Sequence, residues 1–256
     1  MSTAAAKFAR DTRTMFTREL APVLHEPMRL LTAMAQPLLF LVLFGSLLAG
    51  TQDFGGGGAS WQWFVPGILV MMCLFGPMLA GYNMLVELLS GSMERMLVTP
   101  LDRSALLVGR TLKEMVILLA QSALLIALAV PLGFQIHMAG LLAGLALLLV
   151  LGIGLGALSF VLAIASHPRG ELFYEVTQLL MFPLLLLSGV MLPVESGPAW
   201  LQAIAMFNPI TFIVEAERAL LAGQLADPSV LYGTLAALAI AVLGLLLGTR
   251  AMRRGI

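Results

Sequence analysis

The chain has 256 residues, of which 60% are hydrophobic and only 11% charged, with a mean hydropathy of +0.98, whereas a soluble domain carries about 25% charged residues. A water-soluble globular class is excluded, and an all-α membrane protein with several crossings of about 20 residues, and little room for a separate soluble domain, is what remains. Fourteen basic residues balance fourteen acidic ones, so net charge gives no sign of nucleic-acid binding, and a single cysteine, Cys73, excludes an intrachain disulfide or a cysteine-rich metal site.

In chain order, residues 1–29 come first. Phe8, Met15, Phe16, Leu20 and Val23 recur there at roughly helical spacing, with most charges elsewhere around the helix. This suits an amphipathic connector helix lying in the cytoplasmic membrane interface; a frayed polar leader is the plainer reading. Pro22 and Pro27 are expected to turn the chain into the membrane. The apolar run that follows starts too far in, and runs too long, for an ordinary cleaved signal peptide, so it is expected to stay as an anchor.

Residues 30–256 form the membrane domain. Six apolar stretches, at residues 30–50, 64–86, 115–134, 139–165, 172–192 and 231–248, each approach the length that crosses about 30 Å of hydrocarbon as a helix. Six crossings place both termini on one side. Lys7, Arg10, Arg13, Arg18 and Arg29 precede the first stretch, and Arg95, Arg103, Arg110 and Lys113 lie between the second and third. Arg169 lies between the fourth and fifth, and Arg250, Arg253 and Arg254 follow the sixth, which leaves only Arg218 for the opposite side. Basic residues near span ends are retained in the cytoplasm, so both termini are expected there.

Between the first two stretches, Gly55 to Gly58 read as a flexible outer connector, and Trp61 and Trp63 fit the aromatic belt at the outer interface. The third and fourth stretches form a tight hairpin around His137. In the fourth, Gly140, Gly144, Gly152 and Gly156 share one helical stripe, and small residues at that spacing admit a close helix partner from the same chain or from a second copy.

Residues 197–223 read as two short helices, 198–207 and 209–222, resting on or dipping into the outer leaflet. Asn208 is the N-cap, Pro209 the first helical position, and Gly223 the stop. Glu215, Glu217 and Arg218 are expected where water reaches them.

Catalytic and nucleotide-binding patterns are missing. No Gly-x-x-x-x-Gly-Lys-Ser/Thr occurs, and the only lysines are Lys7 and Lys113. His25-Glu26 lacks a second His for zinc, and no Gly-x-Ser-x-Gly elbow appears. No residue is assigned a catalytic or metal-binding role.

The exception to the apolar pattern is GSMERMLVTPLDRS at residues 91–104. Placing Arg95, Asp102 and Arg103 at the bilayer centre costs about 2.5 to 3.5 kcal/mol each, so the segment is a cytoplasmic loop. Gly91 or Ser92 starts a short helix with Glu94 in its first turn, Pro100 ends it, and Asp102 caps the next helix. Met93, Met96, Leu97 and Val98 give it an apolar edge that suits docking into a groove of another protein; an ordinary loop with a helical turn on lipid fits as well.

Read as Gly91-Ser92-Met93-Glu94-Arg95-Met96-Leu97-Val98-Thr99-Pro100-Leu101-Asp102-Arg103, the segment resembles the one after the second span in the permease subunits of type-2 ATP-binding-cassette exporters. Those include the daunorubicin-resistance and nodulation-factor permeases. Leu187-Ser188-Gly189, Pro193, Trp200 and Asn208-Pro209 are similar to the family's segment before its last span, and Arg18-Glu19-Leu20 and Gln36-Pro37 also match. Phe212 departs from the Tyr common in relatives. The resemblance implies six spans, an interfacial connector helix, a cytoplasmic coupling helix at 91–104 and an outer re-entrant pair. Coupling residues would be Gly91, Ser92, Met93, Glu94, Arg95, Met96, Leu97, Thr99, Pro100, Asp102 and Arg103. The resemblance also implies export, a second permease copy and two cytoplasmic ATPase subunits that carry ATP and Mg, with none bound by this chain.

Polar groups near the span ends, Tyr82, Asn83 and Glu87 in the second and Tyr174, Glu175 and Gln178 in the fifth, are candidates for the substrate path, or simply sit in interfacial water. Aromatic and Met-rich walls suit a drug-like or amphipathic cargo. The same architecture serves polysaccharide, glycolipid or lipid-intermediate export. A secondary transporter would call for internal repeats and mid-membrane carboxylates, which the sequence does not display, and a membrane scaffold that transports nothing is the third alternative. The expected site is a bacterial plasma membrane.

Overall fold

The computed structural model describes residues 2–25, 27–49, 60–92, 103–191, 194 and 197–254. Nine α-helices make up the described chain: α1 (Ser2–His25), α2 (Pro27–Ala49), α3 (Ser60–Leu89), α4 (Arg103–Ala129), α5 (Met138–Ala165), α6 (Glu171–Leu187), α7 (Ala199–Ala205), α8 (Pro209–Leu221) and α9 (Pro228–Arg254). A 3-10 turn, Val130–Leu132, extends α4, and no strand occurs among the described residues. Among them, four helical stretches are long and apolar enough to cross a bilayer: Trp61–Leu89, Ala105–Leu132, Met138–Ala165 and Pro228–Ala251. The pair α7 and α8, bent by 86°, makes a fifth if it is one broken span.

Two expected crossings are less complete. The described apolar part of α2 runs only from Met34 to Leu43. Helix α6 stops after 17 residues, about 26 Å of rise, because Ser188 and the positive-φ Gly189 (φ 73°) turn the chain out of the helix. Pro22 does not turn the chain as expected: α1 continues through it to His25, and Pro27 opens α2. The N–H missing at Pro22 is tolerated because α1 is held by packing on α4 rather than by its own hydrogen bonds alone.

Helix α3 is the axis of the fold. Phe64 to Leu74 is buried without a break, so this helix is apolar all round and enclosed by α2, α5 and α8. In lipid, burial of apolar surface gives little drive between helices, and close packing decides which partners meet. The glycines of α5 show this directly. A Cβ at Gly140 would run into the Leu220 carbonyl of α8, and one at Gly144 would lie 2.6 Å from Glu217 Oε1. A Cβ at Gly152 would come 2.8 Å from the Met115 side chain of α4, and one at Gly154 would come 2.7 Å from the Ala241 backbone of α9. The stripe expected in the fourth span therefore packs within this chain. Helix α5 also receives the Cys73 thiol, which donates to the Leu148 carbonyl at 3.2 Å.

A second, smaller core joins Met15 of α1, Ala80, Met84 and Leu85 of α3, Leu106 of α4, Phe160 and Ala163 of α5, and Phe173 of α6. It lies toward the end of the bundle where α3 stops and α4 begins. Before α9, the Asp227 carboxylate accepts the Ser229 N–H at 2.8 Å as an N-cap, and hydrogen bonding from the Ser229 hydroxyl and then from that N–H holds its carboxyl below the usual carboxylate range.

Candidate functional site

Helix α3 ends in a glycine turn. The Gly91 N–H donates to the Leu88 carbonyl at 3.2 Å with φ at 68°, a left-handed C-terminal stop. Gly91 thus closes α3, and helical conformation resumes at Ser92. Met93, Glu94, Arg95, Met96, Leu97, Thr99, Pro100 and Asp102 lie outside the described residues, and of Arg103 only the backbone is described, as the first residue of α4.

The helices on either side of that segment are tied together by charge. Arg110, two turns into α4 and 4% exposed, donates from Nη2 to Glu87 Oε2 in the last turn of α3. The same nitrogen lies 3.5 Å from Glu19 Oε1 of α1. One turn on, Lys113 Nζ lies 3.8 Å from Glu19 Oε2 and 2.8 Å from Glu114 Oε1. Arg110 and Lys113 share a face because they are three residues apart. Glu19 spans both cations, and α1, α3 and α4 are locked at one point. Gly109 makes room for this: a Cβ there would sit 2.7 Å from Met15 Cβ, so α1 lies directly on α4.

The buried face of α1 is consequently Asp11, Thr12 and Met15, with Glu19 partly covered. Of the apolar residues expected on that helix's membrane face, Met15 is buried against α4, Phe16, Leu20 and Val23 are half-buried, and Phe8 is exposed. The sequence reading missed this joint. Its signal was a pair of cations entering an apolar helix, which position alone explains as retention on one side of the membrane.

Of the candidate path residues, Glu87 is engaged by Arg110. Tyr82 and Tyr174 meet edge to face with ring centroids 5.5 Å apart, and Phe173 lies 6.3 Å from Tyr82. Asn83, Glu175 and Gln178 stay exposed, Glu175 and Gln178 on the same surface of α6 as Leu179, Phe182 and Leu186. The structure thus joins the two tyrosines and leaves three polar groups on an apolar surface.

At the opposite end, the Asn208 side chain caps α8 by accepting the Ile210 N–H at 3.0 Å and donates to the Leu184 carbonyl of α6 at 2.8 Å. Pro209 is the first helical residue. Ser188 is buried and donates to Leu185 O at 2.7 Å. The Gly189 carbonyl accepts from Arg218 Nη2 at 2.7 Å, and Pro193 lies outside the described residues. Arg218 also donates to the Trp63 carbonyl at 3.1 Å and stacks 3.8 Å from the Trp63 ring centroid. Trp63 and Arg218 together clamp α8 to α3 and to the end of α6. Glu215 is half-buried.

Glu217 corrects the expectation of water access: it is 0% exposed. Helical period explains this, since Ile210, Ile213, Val214, Glu217, Leu220 and Leu221 fall on the face of α8 that packs inward. A sequence of two acids and an arginine reads as a solvated face, but only the turn-by-turn spacing from Ile210 assigns Glu217 to the other side.

Two points of the fold therefore carry polar groups into apolar packing: the charged joint of α1, α3 and α4, and the bent helix pair at the far end. The family model described as ABC-2 type transporter matches residues 10–222, which includes both. A putative transport permease of Cyanophora paradoxa is 30% identical over 215 residues, 82% of this chain and 74% of its own length. A daunorubicin resistance ABC transporter permease protein of Streptomyces coeruleorubidus is 26% identical over 228 residues, 86% of this chain and 78% of its own. A probable multidrug ABC transporter permease of Escherichia coli is 29% identical over 162 residues, 62% of this chain and 43% of its own. The chain is a multi-pass membrane protein that belongs to the ABC-2 type transporter permease family.

Proposed function

We propose that this chain is the permease subunit of an ATP-driven exporter of drug-like or amphipathic compounds in a bacterial plasma membrane. It crosses six times with both termini in the cytoplasm and works as a pair of copies with two cytoplasmic ATPase subunits, which hold the ATP and Mg. Thirteen of fourteen basic residues on one side of that topology support the orientation. Names of the bacterial relatives support the drug-like cargo.

The observation that carries the reading is the convergence of α1, α3 and α4 on Arg110, α3 and α4 being the helices that flank residues 93–102 in the sequence. A push on that segment from an ATPase reaches α3 and α4 through their own backbones, and α1 through Glu19. Since α3 is the axis of the fold, its displacement moves α5 and α8 with it. Residues 91–104 are thus the input and α3 is the shaft.

Reversal of Glu94 to Lys tests the input. In membranes containing both subunits, E94K is expected to retain the assembled complex and to lose transport; unchanged transport overturns the coupling role. Stimulation of the ATPase by drug-like compounds, but not by lipid-linked sugars or glycolipids, is expected of this cargo class, and the opposite order favours the lipid and polysaccharide alternative.

A further inference from the structure

The carboxyl of Glu217 is enclosed on every side, and neither of its oxygens has a hydrogen-bond partner among the described residues. Its chain neighbour Arg218 is turned away onto Trp63 and Gly189. Across from it, α5 contributes Gly144, and no ionisable residue occurs anywhere in Met138–Ala165. Helix α3 contributes Cys73, whose thiol is committed to the Leu148 carbonyl. Helix α9 brings Tyr232, which lies against Phe212 at 6.4 Å between ring centroids, more than a turn before Glu217 along α8. The His137 ring packs at Gly223 and shares a hydrogen bond with the Leu221 carbonyl, past the end of the helix. Glu215, on α8 itself, is half-buried on another face.

An ionised carboxylate without a donor is far costlier in such surroundings than a neutral carboxyl. A metal ion would require several oxygen ligands, and among the described residues no three His, Cys, Asp or Glu side chains converge. A proton needs no further ligand and no space. The glycine at position 144 leaves room for the carboxyl and for nothing larger, since even a Cβ there would come 2.6 Å from Oε1.

We propose that Glu217 is a proton-binding site. One carboxyl oxygen carries a proton taken from water while α8 lies in the glycine groove of α5, and the proton returns to water when α8 moves out and the carboxylate becomes hydrated. The packed and displaced positions of α8 then differ by one proton. Alkaline pH favours displacement and acid favours the groove. The site is independent of the ATPase, so its failure leaves the export reading standing.

The sole cysteine supplies the test, because Cys73 is buried on α3, against which α8 packs, and is shielded in the packed structure. Full-length permease in phosphatidylcholine nanodiscs is treated with a maleimide between pH 6 and 9, alongside E217Q, in which the amide stands in for the neutral acid. Thiol ionisation raises the rate in both proteins, so the ratio of wild type to E217Q is the readout. It is expected to climb from the acid end of the range by up to about tenfold per pH unit, because the hydrated carboxylate is already ionised there while the packed one is not, and to level off once the packed carboxyl also loses its proton. A ratio constant across the range overturns the proposal. If E217Q does not assemble, E217L replaces it with the same expectation. Failure of both to assemble means that the carboxylate itself is required, which also overturns it.

Discussion

The two polar regions of this permease are held by opposite means. Where α1, α3 and α4 meet, charged side chains join helices through Arg110, Lys113, Glu19 and Glu87. Where α5, α8 and α9 meet, backbone touches backbone: Gly140 lies on the Leu220 carbonyl, and Gly154 on Ala241. Ion pairs between long side chains tolerate a shift of an ångström or two and re-form. Glycine contacts do not, because they depend on an approach that any displacement opens. The first kind of joint absorbs small displacements, and the second holds only while its helices stay fully packed.

The largest expected effect breaks the charged joint. Arg110→Leu leaves Glu87 without its cation and Glu19 with Lys113 alone, and is expected to lower stability by about 3 kcal/mol, the low end for a broken buried pair because both carboxylates keep some exposure, measured by denaturant unfolding in detergent. Adding Glu87→Leu is expected to recover much of the loss, since an apolar pair of similar volume removes the orphaned charge. If the double variant is as unstable as R110L, charge is not what holds these helices together.

Next comes the glycine wedge. Gly140→Ala forces α8 from α5, because the obstacle is backbone and not the end of a flexible side chain, and about 1 to 3 kcal/mol is expected from overpacking. Gly76→Ala on α3 is the control. No atom lies within 4 Å of a Cβ there, so the same change is expected to be neutral or to stabilise by up to about 1 kcal/mol through helix propensity. Equal effects at both positions would mean that close approach is not the cause.

This contrast also marks how far the sequence could be read. Hydrophobic runs and cap residues place α3, α4, α5, α8 and α9 to within a few residues, because period and punctuation are local properties: Asn208-Pro209 is a helix start wherever it occurs. Partners are not local. The glycine stripe announces close packing without saying against what, and only the fold brings Gly140 and Gly144 to α8. Glu19 and Arg110 are 91 positions apart, and nothing short-range links them. Glu217 was misplaced because a cluster of charges on a short helix was read by composition, whereas its burial follows from phase relative to Ile210 and Ile213.

A smaller effect is expected at Asn208. Asn208→Ala removes the cap of α8 and leaves the Leu184 carbonyl without its donor, together about 1 to 3 kcal/mol in the same unfolding measurement. Asn208→Asp separates the two losses: it keeps the acceptor for the Ile210 N–H and removes the donor to Leu184. Recovery of about half of the loss is expected, and full recovery would show that the bond to α6 contributes nothing.

The smallest effect concerns Arg218, which sits between the two kinds of joint: a charge that binds backbone carbonyls. Arg218→Lys keeps the cation but cannot reach Trp63 O and Gly189 O from one planar group while stacking on the Trp63 ring. About 0.5 to 1 kcal/mol of stacking is expected to be lost at a partly exposed site, read as a small drop in unfolding midpoint and a change in tryptophan emission. The charge itself is not at stake in this substitution. If R218K matches wild type in both readings, Arg218 acts as a point charge at the C-terminal end of α8, and the planar stacking on Trp63 contributes nothing to the clamp between α8 and α3.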